Sequence, residues 1–254
     1  MKAPKIGIII QARTNSSRLP QKVIKPFWQE QSILDIVISQ LKKLRLPIVL
    51  ATTTSKEDQV IVDVARAHQI GWYCGDEADV LQRFLDVITR ERFDFVFRIC
   101  ADNPFLSIEL MEELLARAEA LSFNFDYLSH KWKETPAILT HFGVFSELAS
   151  SKALASIKQL ATDSTVYEHV TYFLYTNPAI FKSEFLAVEK SFFTYVETRL
   201  TVDTPTDFKV AQQIFEALNK QGKAPTIEAI NSYIVEQDAI LPLMQSQIET
   251  NKKS

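Results

Sequence analysis

Short apolar runs that alternate with amphipathic segments constrain the fold of this chain more than any other feature. The run at residues 5–11, KIGIIIQ, is continuously apolar, which is typical of a strand covered on both faces of a sheet. Apolar residues at helical spacing follow at 33–44, and strand and helix segments keep alternating as far as residue 121. This order predicts an α/β fold with a doubly wound, mainly parallel sheet.

The bounds of the other elements follow from the same patterns. We predict further strands at 47–52, 70–74 and 93–99, and helices after Ser55, at 80–90 and at 108–121. The less regular middle of the chain is assigned strands at 125–128, 139–145 and 182–188, and helices at 147–159 and 166–175. A strand at 199–202 and helices at 205–218 and 226–235 complete the prediction.

Length and glycine content indicate how the chain is divided into domains. With 254 residues, of which 46% are hydrophobic, the chain is long enough to bury a large core. It has five glycines and no linker rich in Pro, Gly or Ser. We therefore expect a single domain over residues 1–244, in which 123–193 form a substrate-binding or dimerisation insert. Residues 245–254 are expected to be a flexible tail.

Charge and hydropathy exclude several classes of protein. Lys and Arg number 28 against 31 Asp and Glu, a near-balance that disfavours a general nucleic-acid binder. No apolar run approaches the ~20 residues that span a bilayer, and no signal-peptide cleavage site follows the first strand. Cys74 and Cys100 form neither a disulfide framework nor a zinc motif. We expect them to be buried thiols in a protein of the reducing cytoplasm.

A cationic loop follows the first strand. Residues 11–22, QARTNSSRLPQK, place Arg13, Arg18 and Lys22 among small polar residues. Guanidinium and ammonium groups bind phosphate oxygens, so the loop indicates an anion site, with a plain solvated loop as the alternative. It matches neither the phosphate loop of P-loop NTPases nor the glycine pattern of a dinucleotide site.

Two aspartates, Asp102 and Asp203, each follow a predicted strand. Ligands of open α/β sheets bind outside the carboxyl ends of the strands, so both carboxylates are expected at one edge with the cationic loop. Either alone could be an ordinary loop carboxylate, but together with the loop they suit Mg²⁺ and a triphosphate. Asp207, which follows Thr204 and Pro205, is instead typical of a helix start.

Several motifs together resemble one enzyme family. They lie at residues 10–24, 51–54, 75–84, 102–104, 167–171 and 199–205. They are similar to the motifs of the CMP-sugar synthetases, and most similar to those of the spore coat polysaccharide biosynthesis protein F branch, homologues of CMP-Kdo synthetase. The resemblance extends over nearly the whole chain to about residue 218.

The resemblance implies an activity and a set of site residues. It implies a nucleotidyltransferase of the glycosyltransferase-A-like fold that transfers CMP from CTP to a sugar or sugar acid, with Mg²⁺ as cofactor and release of pyrophosphate, for surface polysaccharide synthesis. It also implies a homodimer, and no nucleic-acid or membrane partner. The catalytic residues would be Arg13, Lys22, Asp102 and Asp203, with Asp102 and Asp203 as the metal ligands. The nucleotide-binding residues would be Gln11, Ala12, Arg13, Ser16, Arg18, Lys22, Thr52, Asp79 and Arg83.

The sequence departs from the family pattern in three places. Asn15 and Gln21 stand where the loop usually has glycine, and Ala101 replaces the glycine before Asp102. The stretch around His141 lacks an acidic residue that the family commonly has there. These departures leave open a non-catalytic homologue that binds a nucleotide or a partner. A separate alternative keeps the fold but changes the chemistry, to a glycosyltransferase that uses a nucleotide sugar.

Overall fold

An eight-stranded, mostly parallel sheet forms the centre of the fold in a computed structural model, which describes residues 3–161, 165–189 and 192–251. A separate two-stranded ribbon is formed by β2 and β3. The strands are β1 Ile6–Gln11, β2 Pro26–Trp28, β3 Gln31–Ser32, β4 Ile48–Thr53, β5 Gly71–Gly75, β6 Phe95–Cys100, β7 Tyr127–Trp132, β8 Thr135–Pro136, β9 Glu147–Ser150 and β10 Ser183–Val188.

Helices connect the strands and extend the chain beyond the sheet. They are α1 Ile33–Leu41, α2 Gln59–Ala67, α3 Val80–Glu91, α4 Ile108–Ala120, α5 Ser151–Leu160, α6 Thr165–Glu168, α7 Tyr172–Thr176, α8 Pro205–Lys220, α9 Ile227–Glu236 and α10 Ile240–Thr250. Ser32 with Asp35 and Thr204 with Asp207 form capping boxes at α1 and α8, which confirms the structural role predicted for Asp207. Among the described residues, no helix is long and apolar enough to cross a membrane.

The order of strands in the sheet confirms the predicted fold class. The order is β10-β7-β9-β6-β1-β4-β5, with β8 paired to β7. Strand β1 pairs in parallel with both β4 and β6, and β4 pairs in parallel with β5. Their carboxyl ends therefore share one edge. Strand β9 runs antiparallel to β6, so Glu147 at its start pairs with Arg98 near that same edge.

Apolar side chains cover both faces of the sheet. In β1, Ile8 and Ile10 belong to one buried cluster and Ile9 to the other. This alternation follows from the two-residue period of a strand. Both faces are buried, which explains why the strand is continuously apolar in sequence.

The middle of the chain differs from the predicted elements. Residues 139–145 do not form a strand; a single 3₁₀ turn at Ala137–Leu139 is followed by irregular backbone. The predicted helix at 147–159 begins as strand β9 and becomes helical only from Ser151, because β6 and β7 provide partners on both sides. The predicted helix at 166–175 is divided into α6 and α7.

Two further features concern this part of the chain and the segment after it. Strands β7, β9 and β10, from the predicted insert 123–193, all lie in the central sheet. The predicted strand at 199–202 is not a ladder strand; the backbone N–H groups of Leu200 and Thr201 both donate to the carbonyl of His141. The close approach of the two segments requires Gly143, where a Cβ would lie 2.8 Å from the carbonyl carbon of Leu200.

The expected flexible tail is helical as far as Thr250, and this corrects the prediction for residues 245–250. Met244 is buried, and its sulfur accepts a hydrogen bond from the backbone N–H of Arg199. The hydroxyl of Thr204 donates to Gln247 at 2.7 Å. These contacts hold helix α10 against the start of α8. Residues 252–254 lie outside the described part.

The two cysteines are less buried than expected. Cys74 is exposed on β5, the edge strand of the sheet, and Cys100 is half-buried at the end of β6. Neither forms a disulfide within the described residues. The prediction of buried thiols is therefore wrong for Cys74, whose side chain is exposed.

Candidate active site

Three cationic and acidic side chains meet at the carboxyl edge of the sheet. Lys22 comes from the loop after β1, Asp102 follows β6, and Asp203 precedes α8. The ammonium nitrogen of Lys22 lies 2.6 Å from Oδ2 of Asp102 and 3.2 Å from Oδ1 of Asp203. It also donates to the carbonyl of Val202 at 2.7 Å. The fold thus brings together Lys22, Asp102 and Asp203, which the sequence had placed at this edge of the sheet.

Interactions between opposite charges determine the protonation states of Lys22 and Asp203. Burial alone would lower the pKa of Lys22, but Asp102 and Asp203 outweigh it and raise that pKa above its ordinary value. Burial alone would raise the pKa of Asp203, but the cations Lys22 and Arg18 lower it below its ordinary value. Lys22 is therefore an ammonium and Asp203 a carboxylate at neutral pH.

Arg199 anchors Asp203 from the protein interior. Its Nη2 lies 3.0 Å from Oδ2 of Asp203, and its Nε and Nη2 donate to the two carboxylate oxygens of Asp207. Its Nη1 donates to Nδ1 of His141 at 2.6 Å. Arg199 thereby fixes Asp203 relative to the first turn of α8, and it ties in the segment around His141, where the family's acidic residue is missing.

A buried carboxylate holds the cationic loop in place. Oδ1 of Asp58 accepts hydrogen bonds from the backbone N–H and the hydroxyl of Thr14, at 2.7 and 2.6 Å. Its Oδ2 accepts from the hydroxyls of Thr52 and Thr53 at the end of β4. Burial acts to raise the pKa of Asp58, but these donors outweigh it and lower that pKa below its ordinary value. Thr52, predicted near the nucleotide, is fully buried and serves this anchor.

The two arginines of the loop are half exposed. Arg13 lies 3.6 Å from Glu77 and 3.8 Å from Glu168, whereas Arg18 lies 3.2 Å from Asp203. Surface pairs of this kind contribute little stability, ~0–1 kcal/mol each. Both guanidinium groups can therefore exchange these partners for a phosphate.

The glycine departures have different structural outcomes. Gln21 has φ of +61°, the left-handed conformation that glycine adopts without strain. Asn15 is not among the residues with positive φ, and its side chain donates to Glu77. Ala101 is buried in the core beside the site. Of these three departures, Gln21 alone has a positive φ.

The other predicted nucleotide residues lie around the cationic loop. Ala12 is buried, and its N–H donates to the carbonyl of Ala51. The N–H of Ser16 donates to the carbonyl of Thr14 within the loop. Gln11, at the end of β1, accepts a hydrogen bond from Nε of Arg98.

Asp79 is the N-cap of helix α3, and Arg83 lies in the first turns of that helix. Asp79 caps the helix by accepting from the N–H of Gln82, and it pairs with Lys158. Arg83 is buried, and its Nε and Nη1 have no hydrogen-bond partner among the described residues. Burial, and secondarily Arg13, lowers the pKa of Arg83. Two buried donors without partners indicate a place for a ligand.

A cavity of about 500 Å³ opens beside Asp102 and Asp203. Arg98, which lines it, donates from Nη1 to Oε2 of Glu147 at 2.6 Å, and Glu147 is fully buried. Oε1 of Glu147 accepts from the hydroxyls of Tyr127 and Thr171. The charge of Arg98 is thus balanced by a buried carboxylate behind the cavity wall.

Sequence reasoning missed Asp58, Arg98 and Glu147. An arginine inside the apolar run FDFVFRI was a signal, because a buried strand carries such a charge only with a partner. Glu147 gave no signal, since it was assigned to a helix. Asp58 lies in the segment after Ser55 that is predicted to be helical, which concealed its role in holding Thr14.

The donor set fits a divalent cation that also binds phosphate. Asp102 and Asp203 converge on one cationic atom, the ammonium nitrogen of Lys22, and carboxylate oxygens are ligands that Mg²⁺ prefers. Among the described residues, no cluster of three or more His, Cys, Asp or Glu side chains forms a dedicated metal cage. Mg²⁺ is commonly bound through one or two carboxylates, with substrate phosphates and water completing the shell.

A match to a family model decides the class of this protein. The cytidylyltransferase model matches residues 7–240. The chain belongs to this family. It is therefore a nucleotidyltransferase that uses CTP, and the resemblance identified from the motifs is confirmed.

Two relatives of this cytidylyltransferase align over most of its length. The uncharacterized protein MJ1063 of Methanocaldococcus jannaschii is 36% identical over 243 residues, which cover 91% of this chain and 96% of the relative. The spore coat polysaccharide biosynthesis protein SpsF of Bacillus subtilis is 28% identical over 235 residues, covering 88% of this chain and 90% of SpsF.

Solved structures confirm the predicted fold. A cytidylyltransferase from Leptospira borgpetersenii superposes with a TM-score of 0.82 at 22% identity, covering 94% of this chain and 97% of the other. A CMP:2-keto-3-deoxy-manno-octonic acid synthetase complexed with CTP superposes with a TM-score of 0.61 at 15% identity, covering 86% and 99%. The cytidylyltransferase thus has the nucleotide-sugar transferase fold.

Proposed function

We propose that this cytidylyltransferase transfers CMP from CTP to a hydroxyl group of a sugar or sugar acid for surface-glycan synthesis, in a Mg²⁺-dependent reaction that releases pyrophosphate. The observation that carries the proposal is the convergence of Lys22, Asp102 and Asp203 beside a cavity that both aspartates line. SpsF is named for spore coat polysaccharide synthesis, and the synthetase structure contains CTP, which supports both substrates.

The cationic loop supplies the phosphate contacts. Arg13 and Arg18 have half-exposed guanidinium groups that can bind the triphosphate in place of their present carboxylate partners. Lys22 is held as an ammonium within 3.2 Å of both aspartates, so it can neutralise charge that develops on the phosphate oxygens. Since phosphoryl transfer depends mainly on positioning and charge neutralisation, no covalent nucleophile is required.

The nucleoside would lie on the other side of the loop, towards α3. Arg83 offers two buried N–H donors without partners, and the carbonyl and hydroxyl oxygens of a cytidine can accept from them. Asp79 fixes the first turn of α3, which carries Arg83.

Asp102 and Asp203 are the proposed ligands of Mg²⁺. The metal, when bound, supplies positive charge that polarises the phosphate oxygens of CTP. Arg199 donates a hydrogen bond to Asp203 and a second one to Asp207, which fixes the orientation of Asp203. Lys22 contacts the carboxylates of Asp102 and Asp203. The cavity side of the two aspartates is open to an acceptor hydroxyl, so the attacking oxygen would approach the α-phosphate from there.

A homodimer formed through residues 123–193 belongs to the same proposal. Leu160, Tyr172 and Ile180 are large apolar side chains exposed in this part of the chain, as at association surfaces. Light scattering of the purified protein tests it: a monomer at all concentrations contradicts the proposal.

Release of pyrophosphate is the direct test of the activity. With CTP, Mg²⁺ and a panel of sugars and sugar acids, we expect acceptor-dependent pyrophosphate release by the wild-type protein. Asp102→Asn should lower it by a factor of about 10²–10³, the usual effect of removing one electrostatic contact to the transition state. Asp63→Asn, at an exposed pair with Arg66, is the control and should retain full activity. Full activity of the Asp102→Asn variant would contradict the proposed site.

A further inference from the structure

Two buried polar atoms beside the cavity lack hydrogen-bond partners within the described part of the chain. They belong to Asn103, which is 7% exposed, and Thr201, which is 8% exposed, and both residues line the cavity. The atoms are Oδ1 of Asn103 and Oγ1 of Thr201. Leaving a buried polar atom unpaired is unfavourable, so such atoms usually bind a ligand or water.

The unpaired atoms of Asn103 and Thr201 differ from the other unpaired atoms because their residues line the cavity. Further buried side-chain atoms without partners belong to Gln40, Arg83, His130, Trp132 and Ser146, and none of these residues lines the cavity. Asn103 directly follows Asp102, and Thr201 lies two residues before Asp203. Both unpaired atoms therefore belong to residues next to the proposed metal ligands.

Hydrogen bonds hold the backbone of both residues. The carbonyl of Asn103 accepts a hydrogen bond from the N–H of Leu106, and the N–H of Thr201 donates to the carbonyl of His141. Because the backbone is ordered before a ligand arrives, only the side-chain torsions lose freedom on binding.

We propose that Asn103 and Thr201 are specificity-determining residues that bind hydroxyl groups of the acceptor next to the oxygen that attacks CTP. This inference rests on the proposed function. An amide oxygen can only accept, so its partner must be a donor such as a hydroxyl, whereas the Thr201 hydroxyl can donate or accept. A polyhydroxylated sugar supplies both kinds of group.

One buried cation of the cavity is already engaged by protein partners. Arg98 donates to Glu147 and to Gln11, and Arg18 is assigned to the triphosphate in the proposed function. Neutral hydrogen bonds from Asn103 and Thr201 can therefore discriminate between acceptors. A site that forms a hydrogen bond with a substrate hydroxyl strongly rejects an analogue without that hydroxyl, because the buried polar group of the protein is then left unpaired.

Isosteric substitution of Thr201 tests this role. Thr201→Val removes the hydroxyl and keeps the shape, while Thr201→Ser keeps the hydroxyl. The probes are 2-keto-3-deoxy-manno-octonic acid, N-acetylneuraminic acid and glucose, each with CTP and Mg²⁺. For the probe that the wild-type protein uses, we expect Thr201→Val and Asn103→Ala to raise the acceptor KM about tenfold or more, with a much smaller change in kcat. Thr201→Ser should restore a KM near that of the wild type.

Thermal stability provides the matched control. The Thr201 hydroxyl has no partner among the residues that the structure describes, so Thr201→Val should have an unchanged or higher Tm. Thr171→Val removes a hydroxyl that donates to Glu147 and should lower the Tm.

A Tm loss in Thr201→Val like that in Thr171→Val, or an unchanged acceptor KM, would overturn the inference. So would failure of every probe as acceptor in a wild-type protein that CTP stabilises. Failure of CTP to stabilise the wild-type protein would instead overturn the proposed function, and the inference with it.

Discussion

The ammonium nitrogen of Lys22 lies 2.6 Å from Oδ2 of Asp102, although the two residues are 80 positions apart in the chain. The same nitrogen is 3.2 Å from Asp203, so one cation contacts both carboxylates proposed to hold the metal. Lys22 therefore occupies the place where the carboxylates converge, and a divalent cation that binds there must share this place with it.

Replacement of Lys22 should separate metal binding from catalysis. In Lys22→Met the two carboxylates lose their internal cation, so we expect tighter binding of Mn²⁺ in the absence of nucleotide, measured by titration calorimetry. Pyrophosphate release should fall by a factor of about 10²–10³. Lys25→Met, an exposed lysine nearby, is the control. Equal Mn²⁺ affinity in the wild type and Lys22→Met would show that Lys22 does not compete for the site.

Asp58 should make loop stability depend on pH. Its folded-state pKa is lowered, so its stabilising effect is fully present above its ordinary pKa of ~3.9 and disappears as the pH falls through the lower, folded value. Asp58→Asn should lower the free energy of unfolding by about 1.5–3 kcal/mol at pH 7, since the Thr14 and Thr53 hydroxyls lose a charged acceptor.

Thermal melts from pH 7 down to pH 2 check this prediction. The Tm difference between wild type and Asp58→Asn should be largest at pH 7 and should shrink in acid. Asp63→Asn serves again as the exposed control. A Tm difference that does not change with pH would refute the charged role of Asp58.

Gln21 should be a site where glycine increases stability. Left-handed backbone costs a non-glycine residue roughly 1–2 kcal/mol, and part of this is offset by the greater freedom of glycine in the unfolded chain. We expect Gln21→Gly to stabilise the protein by about 0.5–1 kcal/mol in urea unfolding. Gln21→Ala retains a Cβ and should give no such gain. A destabilised Gln21→Gly variant would mean that the Gln21 side chain contributes more than its backbone strain costs.

Removal of one partner from the buried Arg98–Glu147 pair should be strongly destabilising. Glu147→Gln leaves Arg98 without its anionic partner and should cost about 3–5 kcal/mol in denaturant unfolding. Replacing both residues, as Arg98→Met with Glu147→Leu, should cost less than the two single changes together, because no unpaired charge remains. Additive effects would contradict strong coupling between the two.

The sequence allowed much of the sheet and the charged centre of the site to be predicted. The apolar runs located β1, β4 and β6, and the rule for their carboxyl ends placed Lys22, Asp102 and Asp203 together. The contacts of Asp58 and Glu147 could not be predicted, because each depends on partners brought close by tertiary folding. The stretch 139–145 was wrongly assigned a strand, since β9 takes the place beside β6 that such a strand would need.

Thermal stabilisation by nucleotides tests the central claim, that this sheet edge binds CTP with Mg²⁺, most directly. CTP, UTP, ATP and GTP are each compared with and without Mg²⁺, in the wild type and in Asp102→Asn. A ligand at ~100 times its Kd stabilises the fold by ~2.7 kcal/mol, which raises the Tm of a chain of this size by about 5–10 °C. We predict a Mg²⁺-dependent rise with CTP above the other nucleotides, and its loss in Asp102→Asn. No rise with any nucleotide, or an equal rise in Asp102→Asn, would contradict the account.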